Sequence, residues 1–222
     1  RYFETTPSET KSVPNRWTRN FENFSTDVEV LHGKIIHVSC KGKFDLNNVD
    51  AVIFCLGHNL SIKGILGKPY KLVTDSLIRV ISIVNDISTN RTIKIILMNT
   101  TACINKLQNE KFNKKENLVM KIMRFLSPPQ RDNESAIEYL FDTISMRNKI
   151  IEWIAVRPDT LINEVEVSEY TVHSSPIRSP IFDAGKTSRI NVAHFMANLI
   201  TEENLWNKWK GQMPVIYNVA ST

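Results

Sequence analysis

Short apolar runs alternate along the chain with longer stretches in which apolar residues recur every three or four positions. Residues 50–56 (DAVIFCL), 93–98 (IKIILM) and 151–156 (IEWIAV) are almost continuously apolar, which is typical of strands buried on both faces of a sheet. Shorter strands are predicted at 28–31 and 215–218. The spacing predicts amphipathic helices at 71–87, 118–126, 132–144 and 191–200. This alternation predicts βαβ units, and hence an α/β fold with a doubly wound, mostly parallel sheet and helices on both faces.

The segments between these elements carry helix-ending and loop-forming residues. Pro128 and Pro129 are expected to end the helix over 118–126. Asp132 is predicted to cap the helix that follows, because its carboxylate can accept hydrogen bonds from the first turn. Residues 163–186 are polar and contain two prolines, so we predict a long, variable loop on the substrate side. Since no linker or repeat divides the chain, a single domain over residues 1–222 is expected.

Composition and charge exclude several classes of protein. With 42% hydrophobic and 23% charged residues, the chain has the balance of a folded domain. The net charge of +5 is spread along the chain without a basic stripe interleaved with aromatics, so no nucleic-acid partner is expected. No apolar run approaches the roughly 20 residues that cross a bilayer, so no membrane partner is expected either. The three widely spaced cysteines favour a reducing, cytoplasmic compartment, and no histidine pair has metal-ligand spacing.

Residues that follow the predicted strands are the first candidates for a binding site. In open parallel sheets, ligands bind beyond the carboxyl ends of the strands. Here those positions are Gly57-His58-Asn59, then Asn99-Thr100-Thr101, then 157–160. A small-molecule site is therefore expected where these three segments meet.

The ordered set DAVIFCLG, IKIILMNTT and IEWIAVRPDTLI, followed by GKTSRINVAHFMANLI, resembles the atypical short-chain dehydrogenase/reductase family. These are Rossmann-fold NAD(P)(H)-binding proteins related to NmrA-like proteins and to NAD-dependent epimerases. The resemblance extends from about residue 28 to residue 218. It implies a dinucleotide cofactor, a small organic substrate near 163–186, and a monomer or homodimer.

Two family features are missing from this sequence. Family members open with a strand and a glycine-rich loop that lets the backbone approach the pyrophosphate, whereas the first glycine here is Gly33. We therefore expect the chain to lack that unit. Typical members also carry Tyr-x-x-x-Lys for proton transfer, and none of the five tyrosines has a lysine four positions later. The family's lysine position falls on Asn133.

The resemblance implies roles for individual residues, and each has a plainer structural alternative. Thr100 and Asn133 are the catalytic candidates, although threonine also satisfies backbone groups at strand ends. Gly57 would allow close approach of a ribose, but it also suits an ordinary turn. Arg157 is expected to be a structural ion-pair partner. The cofactor-binding candidates are Leu56, Gly57, His58, Asn99, Thr100, Thr101, Pro158, Asp159, Thr160 and Leu161.

Two functions are compatible with these residues. One is an oxidoreductase that passes a hydride from a nicotinamide to a small organic acceptor. The other is a non-catalytic NAD(P)(H)-binding redox sensor or accessory subunit, which the missing Tyr/Lys pair favours. The basic balance of charge favours NADP(H) over NAD(H) as the cofactor.

Overall fold

The computed structural model describes residues 49–58, 67–86, 91–144 and 150–219. The strands are β1 (Ala51–Phe54), β2 (Ile93–Met98), β3 (Ile151–Pro158), β4 (Thr160–Ile162), β5 (Tyr170–His173), β6 (Lys186–Ser188) and β7 (Val215–Asn218). The helices are α1 (Leu72–Asp86), α2 (Lys114–Leu126), α3 (Pro128–Tyr139), α4 (Arg189–Thr201) and α5 (Glu203–Trp209). A π-helical turn, Leu140–Ile144, continues α3.

The main sheet has the strand order β1-β2-β3-β7-β5. The first four strands are parallel and β5 is antiparallel to β7 at the edge. Ile53 lies opposite Ile96, which in turn lies opposite Ile154. A second, two-stranded parallel sheet pairs β4 with β6. The predicted α/β, mostly parallel sheet is therefore confirmed.

Apolar side chains fill both faces of the main sheet. On β3, Trp153 and Ala155 face a cluster built with α1, α3 and the π-helical turn, whereas Ile154 and Val156 face a cluster built with α4 and α5. Strand β2 alternates in the same way. Burial on both faces explains why these strands are apolar at nearly every position.

Local capping explains where α2 and α3 begin. Asn113 accepts a hydrogen bond from the Glu116 N–H, and the Glu116 carboxylate accepts one from the Asn113 N–H, which forms a capping box at the start of α2. Helix α2 ends at Leu126, before the two prolines as predicted. The prolines then occupy the first turn of α3, where a missing N–H has no cost.

Two sequence predictions need correction. Asp132 does not cap its own helix, because α3 begins at Pro128 and Ser127 is the residue at its N-cap position. The predicted loop over 163–186 contains β5 and reaches the start of β6. Strand β4 and helix α5 were not predicted. The predicted strand at 28–31 and the expected absence of the glycine-rich unit concern residues outside the described ranges.

Candidate functional site

The carboxyl ends of three parallel strands lie at one edge of the main sheet. Residues 55–58 follow β1, residues 99–103 follow β2, and Asp159 follows β3. Because β1, β2 and β3 are parallel neighbours, these segments lie side by side, as the sequence predicted.

Asp132 joins the end of β1 to the start of α1. Its Oδ2 accepts hydrogen bonds from the Val73 N–H at 2.7 Å and from His58 Nε2 at 2.7 Å. Its Oδ1 accepts from the Thr74 N–H at 2.9 Å and from the Thr74 hydroxyl at 2.6 Å. The side chain of Asp132 is fully buried and that of His58 is 5% exposed. A carboxylate on α3 therefore caps α1 from outside and holds the imidazole that follows Gly57.

Asn99 joins the end of β2 to α3. Its amide Nδ2 donates to the Asn133 carbonyl at 3.1 Å, and its Oδ1 accepts from the Thr100 N–H at 2.8 Å. The Thr100 hydroxyl oxygen accepts a hydrogen bond from the Ala102 N–H at 3.3 Å, and this bond does not use the hydroxyl proton of Thr100. Thr100 and Asn133, the catalytic candidates, are thus linked through Asn99, and both are half-buried.

Arg157 is fully buried on β3 and is fixed by a bidentate ion pair. Its Nη1 and Nη2 donate to the two carboxylate oxygens of Glu110 at 2.7 and 2.8 Å. Further donations reach the carbonyls of Met213 and Cys103, both at 2.8 Å. The Ser174 carbonyl accepts a fifth hydrogen bond from Nη2 at 3.3 Å. Every N–H of the guanidinium therefore has a partner, which confirms the predicted structural role.

Asp159 ties the end of β3 to the neighbouring loops. Its carboxylate accepts hydrogen bonds from the Gly185 N–H at 2.8 Å and from the Thr101 hydroxyl. Burial raises the pKa of Asp159 above its ordinary value, although these hydrogen bonds oppose the rise. A carboxyl with a perturbed pKa therefore lies at the predicted edge.

Gly185 is packed against an aromatic ring beside Asp159. A Cβ on Gly185 would lie 2.4 and 2.7 Å from two ring carbons of Tyr217, a separation that real atoms do not adopt. Burial, and then the charge of Asp159, raise the pKa of the Tyr217 phenol. Only glycine lets the backbone come this close to the ring, and nothing in the sequence pattern marked this position.

The remaining cofactor candidates have different surroundings. Gly57 is exposed, and a Cβ added to it would meet nothing within 4 Å. Leu56 and Leu161 pack on the two core clusters, one on each. Pro158 is buried and paired with Ile216 of β7, whereas Thr160 is exposed on β4. Gly57 and Thr160 are the candidates most open to a ligand.

Sequence reasoning missed what Asp132 and Asp159 contact. Each was identified from its place along the chain, but their partners, Val73, Thr74 and Gly185, come from distant segments. Among the described residues, no group of three or more His, Cys, Asp and Glu side chains is arranged to hold a metal ion.

A family model for NAD(P)H-binding proteins matches residues 28–203 of this sequence. The chain belongs to this NAD(P)H-binding family. The family resemblance drawn from the strand ends is thereby confirmed. A search of curated proteins finds no match.

Solved structures similar to this NAD(P)H-binding protein come from several bacteria. A protein of Lactobacillus casei matches with a TM-score of 0.53 and 14% identity over 79% of this chain and 73% of its own. A candidate NADH-flavin reductase of Streptococcus pneumoniae has a TM-score of 0.50 and 12% identity over 79% of this chain and 74% of its own. A candidate NAD-dependent epimerase/dehydratase of Bacillus halodurans has a TM-score of 0.49 and 15% identity, over 79% and 67%. At these identities the first two matches show the fold alone, which is Rossmann-like.

In the described part of the chain, no helix has both the length and the apolar character needed to cross a bilayer.

Proposed function

We propose that this protein is an NAD(P)H-dependent reductase that transfers a hydride to a small organic acceptor. The observation that carries the proposal is the meeting of three parallel strand ends at one edge. Helix α3 is hydrogen-bonded to two of them, through Asp132 with His58 and through the Asn133 carbonyl with Asn99. In a family that binds NAD(P)H, such an edge is where a dinucleotide is expected.

The residues at this edge suit the proposed cofactor. Gly57 leaves open space where a side chain would stand, so a ribose can approach the backbone after β1. Thr100, Thr101 and Asn99 bring hydroxyl and amide groups to the end of β2, and Asp159 and Thr160 continue the wall after β3. Leu56, His58, Pro158 and Leu161 complete the proposed binding set. The basic balance of the sequence supports NADP(H) rather than NAD(H).

The proposed chemistry divides between the cofactor and two side chains. The nicotinamide supplies the hydride when bound. Thr100 orients the acceptor by donating its free hydroxyl proton, and the Asn133 amide donates to the ribose. Asparagine cannot stabilise an anion as lysine does, so water or the acceptor supplies the product's proton. We place the acceptor beneath residues 163–186, on a monomer or homodimer in the cytoplasm.

The rival proposal is a dinucleotide-binding protein without turnover. It is favoured by the absence of Tyr-x-x-x-Lys from the sequence. Both proposals need the same binding site, and they differ only in whether an acceptor is reduced.

A fluorescence titration of NADPH and NADH into the full-length protein tests the site. We expect saturable binding, tighter for NADPH, and an about tenfold weaker affinity in Gly57→Ala with an unchanged melting temperature, because the added methyl group meets only the ligand. The matched control is Asn204→Ala, an exposed position on α5 outside the proposed binding set, which should change neither the affinity nor the melting temperature. If folded protein binds neither nucleotide at millimolar concentration, both proposals fail.

An acceptor screen then separates the two proposals. Acceptor-dependent oxidation of NADPH that Thr100→Val slows would support the reductase. Tight binding with oxidation no faster than in buffer would support the sensor.

A further inference from the structure

Helix α2 presents an apolar face to the outside of the protein. Only Glu116 and Met120 of its 13 residues are buried. We define the outer face of α2 as four large apolar residues, whose exposed fractions are 62% for Leu118, 50% for Ile122, 81% for Phe125 and 60% for Leu126. Exposure of this extent on one helix marks an interaction surface rather than scattered surface residues.

The outer face of α2 is also basic. At about 100° per residue, its four apolar side chains lie within an arc of about 100°. By the same geometry, Lys115 falls inside that arc and Lys114 and Lys121 fall within about 40° of its edge. All three lysines are exposed.

Carboxylates near α2 are turned away from this face or already paired. Glu116, the only acidic residue of α2, is buried and accepts a hydrogen bond from the Ser179 hydroxyl. Glu134 on α3 is paired with Arg124 at 2.8 Å. Arg131, exposed on α3, donates to the Arg124 carbonyl at 2.8 Å and so adds a further cation at the end of the helix. From residue 111 to residue 131 the sequence holds six basic residues and one acidic residue.

We propose that the outer face of α2 docks this protein on bilayers that contain anionic lipids. A helix with apolar side chains flanked by lysines lies in the plane of such an interface, with its apolar residues among the acyl chains and its lysines at the phosphates. With about 20 Å of length, α2 lies on a bilayer and does not cross it. A second copy of the chain is a poorer occupant, because the pairing of two outer faces would place lysines against lysines.

This inference differs from the expectation of no membrane partner drawn from composition. That expectation rested on the absence of a long apolar run, and a membrane-surface helix does not need one. The exposure of the apolar residues of α2 in the structure is what changes that expectation. Helical spacing alone would assign Leu118, Ile122 and Leu126 to the core.

Vesicle flotation with the full chain tests the proposal. The probes are phosphatidylcholine vesicles with and without about a third phosphatidylserine, at low and high salt. We expect binding only to the anionic vesicles, weakened by salt. Phe125→Ser should reduce the affinity at least tenfold, and Lys115→Gln or Lys121→Gln about fivefold each. Val165→Ser and Lys186→Gln, at exposed positions elsewhere, are the matched controls and should bind as the unmodified protein does.

Three outcomes would overturn the proposal. These are equal binding to neutral and anionic vesicles, no binding to either, and anionic binding that the α2 variants leave unchanged. A concentration-dependent dimer that Phe125→Ser dissociates, measured by sedimentation velocity, would assign the face to a second copy instead. Because nucleotide titration does not involve α2, its result is independent of these outcomes.

Discussion

Replacement of Asp132 by alanine should destabilise the protein more than any other single change at the candidate site. The carboxylate is fully buried and accepts hydrogen bonds from the backbone N–H groups of Val73 and Thr74. Both residues are themselves buried, so water cannot replace the lost acceptor. A buried donor left without a partner costs about 1–3 kcal/mol.

Two such donors, together with the loss of the cap on α1, give an expected loss of about 3–4 kcal/mol in the free energy of unfolding. That is a large part of the 5–15 kcal/mol typical of a domain, at about 25 °C. Asp132→Asn keeps one oxygen acceptor but loses the charge beside the helix N-terminus, so we expect a loss of about 1–2 kcal/mol.

Urea unfolding followed by circular dichroism measures these losses. The matched control is Asp75→Asn, which removes an exposed carboxylate from the first turn of the same helix and should cost less than about 1 kcal/mol. If Asp132→Ala costs no more than Asp75→Asn, with an unchanged dependence on urea, the external cap does not stabilise α1 and the reasoning is refuted.

Three further predictions follow from the same region. Gly185→Ala should cost about 1–3 kcal/mol in urea unfolding, because its methyl group must displace the Tyr217 ring, and a neutral result would show that the ring yields freely. Burial raises the pKa of the Cys103 thiol far above its ordinary range. In a variant whose other cysteines are replaced by serine, this thiol should therefore resist iodoacetamide until urea unfolds the chain. Fast labelling of the folded protein would contradict this. Burial also raises the pKa of Asp159 above its ordinary value of 3.8, so the folded protein binds the proton of this carboxyl more tightly than the unfolded chain does. The free energy of unfolding therefore decreases as the pH rises above 3.8, until the carboxyl of the folded protein has ionised. Urea unfolding at several pH values should therefore show that the free energy of unfolding of Asp159→Asn rises relative to that of the unmodified protein from about pH 4 towards neutrality. If the two free energies change in parallel with pH, the effect is excluded.

The bounds of β2 and β7 were predictable because the side chains of each strand are buried in the sheet, and buried positions are visible in the sequence as an apolar run. The start of α2 at Lys114 could also have been predicted, since Asn113 and Glu116 have the spacing of a capping box. It was overlooked because the first apolar residue, Leu118, comes later.

Other features could not be found from the pattern along the chain. Asp132 has the appearance of a local helix cap, and its true partners lie about 60 positions earlier, at Val73 and Thr74. Strands β4 and β6 have three residues each, and they exist because they pair with each other. The candidate edge was predicted because it depends on strand order, whereas the hydrogen bonds that bind its segments together depend on contacts between distant parts of the chain.

The ion pair of Arg157 with Glu110 has a consequence for hydrogen exchange. Its guanidinium joins β3 to the carbonyls of Cys103 and Met213, and Glu110 also accepts from the Asn105 N–H at 2.7 Å. Residues 103–110 therefore cannot open without leaving a buried cation unpaired. The buried Asn105 amide should therefore exchange only when β3 itself unfolds, which places this residue in the slowest-opening cooperative unit of the protein.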